Sequence, residues 1–156
     1  MRLALFQPDI PQNLGAALRL GACLGAPVDV IEPCGFPLSD AAVRRTALDY
    51  GALGELVRHA GWPVFLAEQR RADRRIVLFT TRAAQPFQEF TYRPCDVLLF
   101  GRESAGVPEE VHAAADARLF IPLVPGARSL NLVTAAALAL GQALRCVEGF
   151  PKAVTP

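Results

Sequence analysis

Short apolar runs alternate with stretches of helical periodicity along most of the chain, and this alternation restricts the fold more than any other feature. Leu3 to Phe6, Val28 to Ile31, Val64 to Leu66, Ile76 to Thr80, Val97 to Phe100 and Leu119 to Ile121 read as strands. Between them, Asn13 to Leu24 carries apolar residues at helical spacing and stops at Gly25. Ser39-Asp40 can cap a short helix holding Arg44 and Arg45, Leu53 to Ala60 reads as a further helix, and Pro108-Glu109-Glu110 starts another. Strands alternating with helices imply an α/β domain with a largely parallel sheet, whose ligand site lies beyond the carboxyl ends of the strands. The loops after Phe6, Phe79, Phe100 and Ile121 are therefore the candidate loops.

The last helix, Asn131 to Val147, is apolar around nearly its whole circumference and needs cover on more than one side. It is too short for a membrane span and is interrupted by Gly141, Gln142 and Arg145, so core plus subunit interface is the expected use. The 156-residue length fits one domain, and a 52% hydrophobic content against 20% charged also points to a further subunit. A net charge of +1 requires any nucleic-acid contact to come from a local basic patch. Lys152 is the only lysine, so fifteen of the sixteen basic residues are arginines, the type suited to bidentate phosphate contacts. Cys23, Cys34, Cys95 and Cys146 form no C-x-x-C pair and lie far from both histidines, which indicates neither a zinc site nor a disulfide framework. His59 and His112 show no triad or metal spacing and are expected on a surface or a helix face. The opening MRLALFQPDIP is too short in apolar residues for a signal peptide, which makes a cytoplasmic location the expectation.

Three segments carry candidate chemistry. In PDIPQNLGAALRLG, Asn13 stands where a loop enters a helix and either caps it or meets a ligand, while Gly15 permits close approach and Arg19 either reaches the same ligand or is solvated. VLLFGRESAGVPEE places Gly101 and Gly106 around polar residues after a buried strand, with P-loop glycine spacing but without the Lys and Ser/Thr that a triphosphate site needs. IPLVPGARSLNL is a proline-stiffened loop before a helix capped by Ser129 or Asn131; it is either a structural turn or a rigid wall for a flat purine lined by Ile121, Leu123 and Leu130. The run Gln69 to Arg75 lies between two expected strands, where its four arginines either contact phosphates or form a solvated turn.

Together, and in this order, the phrases IPQNLGAALRLGACLG, IEPCGF, LDYG, FGRESAGVP and IPLVPGARSLNL resemble the motifs of the SpoU/TrmH branch of the SPOUT superfamily, whose members are RNA 2'-O-methyltransferases. They look nearest to the short TrmL group, which acts on the ribose of cytidine or modified uridine at tRNA position 34. The resemblance implies a single SPOUT domain over residues 1–156, with a C-terminal trefoil knot at about 97–147. It further implies a homodimer, S-adenosylmethionine as cofactor with S-adenosylhomocysteine as product, no metal, and the tRNA anticodon region as partner, not DNA or membrane. Carried over by position, the cofactor contacts are Phe79, Gly101, Ile121, Leu123, Ser129 and Leu130, and the catalytic set is Asn13, Arg19, Glu103, Ser129 and Asn131. Because a guanidinium does not give up its proton near neutral pH, Arg19 is expected to position ribose and phosphate, not to act as base. Ala105 stands where the group's pattern has a basic residue, and Arg102 is an added one. RNA contact is accordingly expected from Arg44, Arg45, Arg70, Arg71, Arg102 and Arg128. The alternatives are a SPOUT methyltransferase for another tRNA or rRNA position, or a non-catalytic RNA-binding relative. An oxidoreductase of the dinucleotide-binding type would need a G-x-G-x-x-G turn after the first strand, which this chain lacks.

Overall fold

In the computed structural model, which describes residues 1–38 and 55–152, seven strands form one sheet in which every registered pair is parallel. The strands are β1 (Arg2–Phe6), β2 (Val28–Ile31), β3 (Leu56–His59), β4 (Ile76–Phe79), β5 (Gln85–Pro86), β6 (Val97–Phe100) and β7 (Ala117–Phe120). Their order across the sheet is β3-β2-β1-β6-β4-β7-β5. The helices are α1 (Pro11–Leu24), α2 (Trp62–Arg71), α3 (Glu109–Ala114) and α4 (Leu132–Cys146), with a 3-10 turn at Phe87–Glu89.

Strand side chains point alternately to the two faces, and here both faces are covered, which is why the runs are continuously apolar. Leu3, Leu5, Val77, Phe79, Leu98 and Phe100 join α1 and α4 in one core. Ala4, Phe6, Ile76, Leu78, Val97 and Leu99 turn the other way and join Trp62, Phe65 and Val111 of α2 and α3 in the second. α4 carries Ala136, Ala139, Leu140 and Ala143 fully buried against the first core, while Leu138 on its outer side is 46% exposed. No helix among the described residues is long and apolar enough to cross a membrane.

Two expected elements change type. The helix expected over Leu53 to Ala60 is, where described, the strand β3, whose register pairs Leu56 with Val28 and His59 with Ile31. The strand expected at Val64 to Leu66 lies inside α2, whose buried residues Trp62, Phe65 and Gln69 recur at helical spacing while Val64 is 53% exposed. The arginine run accordingly lies at the end of α2 and in the turn before β4. The helix expected to contain Arg44 and Arg45 lies outside the described residues.

His59 is not on the expected surface or helix face but in β3 and 1% exposed. Its Nε2 lies 2.8 Å from the buried Asp29 carboxylate, which also accepts from Arg2 Nε at 2.6 Å, and its Nδ1 lies 3.4 Å from Glu68. The Arg2 guanidinium and the hydrogen-bond partners around Asp29 compensate the desolvation of a carboxylate within the sheet. His112 is buried on α3, where desolvation lowers its pKa.

Candidate active site

The four strands β1, β6, β4 and β7 are neighbours, so their carboxyl ends and the loops that follow open on one side of the sheet. These are the loops named from the sequence. They enclose a cleft of about 680 Å³ lined by Ile10 and Asn13 after β1, by Thr80 and Thr81 after β4, by Gly101 to Glu103, Gly106 and Val107 after β6, and by Ile121, Leu123 and 127–132 after β7. Such a volume is that of a small-molecule or cofactor site. Phe79 and Phe100 stack across β4 and β6 with ring centroids 5.0 Å apart and also line the cleft.

The loop after β6 is a tight turn. Arg102 and Gly106 exchange both backbone hydrogen bonds at 2.9 Å, which leaves residues 103–105 as the tip. A β-carbon at Gly101 would lie 2.6 Å from the Gly106 carbonyl carbon, and Gly106 itself has φ +66°, so the turn requires glycine at both positions for different reasons. Close approach is needed at Gly101, and a left-handed backbone at Gly106.

Glu103, at the tip, reaches across to the β1–α1 loop. Its carboxylate accepts from Asn13 Nδ2 at 2.7 Å and from the backbone N–H of Asp9 at 2.8 Å. Asn13 Oδ1 in turn accepts from Asn131 Nδ2 at 3.1 Å, and Asn131 Oδ1 caps α4 by accepting from the N–H groups of Val133 and Thr134 at 2.9 and 3.3 Å. The polarity of this relay is forced at both ends, because a carboxylate only accepts and a backbone N–H only donates. Residues from three distant segments are thereby fixed along one wall of the cleft.

Among the sequence-expected cofactor contacts, Phe79, Gly101, Ile121, Leu123, Ser129 and Leu130 all line the cleft. Of the expected catalytic set, Asn13, Glu103, Ser129 and Asn131 line it as well. Arg19 does not. It lies exposed on α1 six residues beyond Asn13, about 240° further around the helix at roughly 100° per residue.

The expected RNA-contact arginines are dispersed. Arg102 and Arg128 line the cleft, Arg71 is exposed at the end of α2, and Arg44 and Arg45 lie outside the described residues. Arg70 places Nη1 2.7 Å from the Asp116 carboxylate and donates to the carbonyl of Ala114 at 2.6 Å, while Arg75 is held by Asp96 at 2.7 Å. These two guanidiniums tie the end of α2 and the residue before β4 to the segments before β7 and β6.

Asp9 is the site residue that the sequence did not reveal. It takes Arg102 Nη2 at 2.7 Å and Nε at 3.1 Å on one oxygen, and the hydroxyl and N–H of Ser104 at 2.6 and 3.1 Å on the other. The Arg102 guanidinium, followed by the Ser104 hydroxyl, lowers its pKa from the ordinary 3.8 to about 2.

The parallel α/β sheet thus carries at its carboxyl edge a cleft walled by glycine turns and by a Glu103–Asn13–Asn131 relay. The chain belongs to the SpoU rRNA Methylase family, whose sequence model matches residues 1–141. It is 57% identical over 150 residues to the tRNA (cytidine(34)-2'-O)-methyltransferase of Beijerinckia indica subsp. indica, covering 96% of this chain and 94% of that protein. A solved structure described as "Structural insights into the 2-OH methylation of C/U34 on tRNA" superposes with a TM-score of 0.87 at 40% identity, covering 95% and 96% of the two chains. The SpoU methyltransferase AviRb of Streptomyces viridochromogenes, solved in complex with the cofactor AdoMet, superposes with a TM-score of 0.79 at 25% identity, over 93% of this chain and 59% of that one.

Proposed function

We propose that this chain is an S-adenosylmethionine-dependent methyltransferase that acts on the ribose 2'-hydroxyl of the tRNA wobble nucleotide, cytidine or modified uridine at position 34. The observation that carries the reading is the Glu103–Asn13–Asn131 relay beside a cofactor-sized cleft, in a chain so similar along its length to enzymes of that name. The reading includes one SPOUT domain over residues 1–156, a knot at about 97–147, and a homodimer. The outer side of α4 supports the dimer: Leu138 and Phe150 are 46% and 49% exposed and border a shallow apolar depression with Phe87 and Gly141.

The cleft suits the cofactor chemically. Ile121, Leu123 and Leu130 offer apolar contact to a purine, and Gly101 lets the turn after β6 close on Gly106 at the edge of the cleft. When bound, S-adenosylmethionine supplies an activated methyl group on a cationic sulfur. The chain's own task is then to align a ribose hydroxyl and assist departure of its proton, which is work of position and hydrogen bonding. Asn13 and Asn131 are held in fixed orientations by Glu103 and by the start of α4, so their amides form a preset polar wall for the sugar. Ser129 lies two residues before Asn131 on the same cleft wall and is assigned to the methyl and ribose end. Proton acceptance is assigned to water or a substrate phosphate. Arg128, on the cleft rim, is assigned to RNA phosphate together with Arg71, Arg44 and Arg45.

The test is to supply methyl-labelled S-adenosylmethionine with tRNA lacking ribose methylation and to locate the label by nuclease mapping. Label at nucleotide 34 is the expected result. Label elsewhere in tRNA or in rRNA moves the chain to another SpoU specificity, and no transfer to any cellular RNA removes the enzyme reading in favour of a binding protein.

A further inference from the structure

Every side-chain hydrogen bond of the turn 102–104 among the described residues runs to one short segment, Gln7 to Asn13, and most of them converge on Asp9. Its carboxylate holds Arg102 on one oxygen and both donors of Ser104 on the other, while its N–H donates to Glu103. Three consecutive residues of the turn therefore share one anchor. The anchor is itself seated: the carbonyl of Pro8 accepts from Gly35 N–H at 2.9 Å, and a β-carbon at Gly35 would lie 3.0 Å from the Asp9 Cα. Residues 103–105 otherwise project beyond the Arg102–Gly106 bridge, with Ser104 and Ala105 exposed.

We propose that Asp9 is a positioning residue for methyl transfer, and that Arg102, gripped by it, sets the geometry of Glu103 and does not bind RNA. The inference rests on the methyltransferase reading above. Two of the guanidinium's donors point at Asp9, and a third, Nη1, leans toward Gln7 Oε1 at 3.5 Å. Its charge is matched by a carboxylate that stays ionised throughout the physiological range. A phosphate arriving at Arg102 would have to displace that partner. Arg128, in the cleft-lining loop after β7, forms no ion pair among the described residues and offers its charge to phosphate without such a cost. Without Asp9, Glu103 keeps Asn13 but the turn that carries it loses its tether, and errors of about 1 Å in such a site cost on the order of 10²-fold in rate.

Asp9→Asn separates the two assignments by the sign of its effect. The amide keeps the size of the carboxylate but loses its charge and presents N–H groups at one end, so it cannot accept from both Arg102 and the Ser104 N–H, and Arg102 loses its ionic partner. If Arg102 is a positioning residue, single-turnover transfer to saturating tRNA, normalised to sites titrated with S-adenosylmethionine, falls about 10- to 100-fold. The Kd for tRNA and its salt dependence stay within about twofold of wild type. Arg102→Ala falls equally, Asp9→Asn combined with Arg102→Ala falls no further than either alone, and Asp9→Glu recovers part of the rate. Arg128→Ala instead flattens the salt dependence by about one unit of slope.

The proposal is overturned if Asp9→Asn transfers at the wild-type rate, or if the double variant loses the product of the single losses. It is also overturned if Asp9→Asn binds tRNA more tightly with a steeper salt slope, or if Arg102→Ala flattens that slope, since either marks Arg102 as a phosphate contact that Asp9 restrains. Should Asp9→Asn fail to fold, Arg102→Gln and Ser104→Ala, which remove the clamp from the other side, decide by the same rates. Wild-type protein that transfers no methyl group to tRNA removes the methyltransferase reading itself, an outcome distinct from any of these.

Discussion

Asn131 performs two tasks with the two ends of one amide, and a substitution can separate them. Its oxygen caps α4 through Val133 and Thr134, and its nitrogen orients Asn13. Asn131→Asp retains the capping acceptor and loses only the Asn13 contact, whereas Asn131→Ala loses about 1 kcal/mol with the cap as well. Both should lose methyl transfer, because with Asn131→Asp the Asn13 amide lies between two carboxylates and neither of its orientations satisfies both. Unimpaired transfer by Asn131→Asp would remove the relay from the mechanism. Asp9 behaves differently with pH. Its folded pKa is depressed from 3.8 to about 2, so its stabilising contribution is complete above the ordinary value and is lost as pH falls toward about 2. The unfolding difference between wild type and Asp9→Asn should be flat from about pH 5 to 8, shrink below about pH 4, and leave the rate profile without a limb of Asp9's own near neutrality. Asn13, Glu103 and Asn131 were legible in the sequence as members of an ordered motif set. Asp9 was not, because it reads as an ordinary turn residue between Pro8 and Pro11 and its partners lie 93 to 95 residues away.

Elements were legible where burial and local pattern agree. β2 and β6 occupy the residues read from the sequence, and α1 and α4 differ from it only at their ends, since runs buried on both faces and helices stopped by Gly25 or capped by Asn131 carry local signals. The β3–α2 region reversed because its local signals are ambiguous. Leu53, Leu56, Val57 and Ala60 imitate a helical stripe, yet pairing with β2 makes 56–59 a strand. Val64-Phe65-Leu66 imitates a strand, yet Pro63 at the start of a helix and the buried Gln69, a polar residue on the inner face, belong to α2. β5, two residues that include Pro86, offers no periodicity to read. The packing of α1 also makes a firm prediction. A β-carbon on Gly21 would lie 2.3 Å from the carbonyl oxygen of Ala26 and 2.8 Å from Val28 Cγ2, so backbone must move to admit it. Although alanine is the better helix former by about 1 kcal/mol, Gly21→Ala should therefore destabilise the chain by roughly 1–3 kcal/mol in denaturant unfolding. A more stable variant would mean that α1 can shift off the end of β2.

The position of Arg19 is a question for the whole molecule. Arg19 is not among the residues that line its own chain's cleft, so an essential Arg19 is explained if it meets substrate at another chain's site. A homodimer provides the route: α1 packs beside α4, and the exposed apolar side of α4 is the surface assigned to the second copy. If the cleft of one chain is completed by Arg19 of the partner subunit, mixed dimers of Arg19→Ala with Asn131→Asp should work although each parent is inactive. One site then combines an intact cleft with an intact arginine, and the other collects both defects. Co-expression with two affinity tags isolates the mixed species, and its methyl transfer should reach about half the wild-type rate per dimer, as expected for two independent sites. An arginine acting within its own chain leaves one defect in each site and restores nothing, so an inactive mixed dimer that still binds S-adenosylmethionine would place Arg19 in its own cleft.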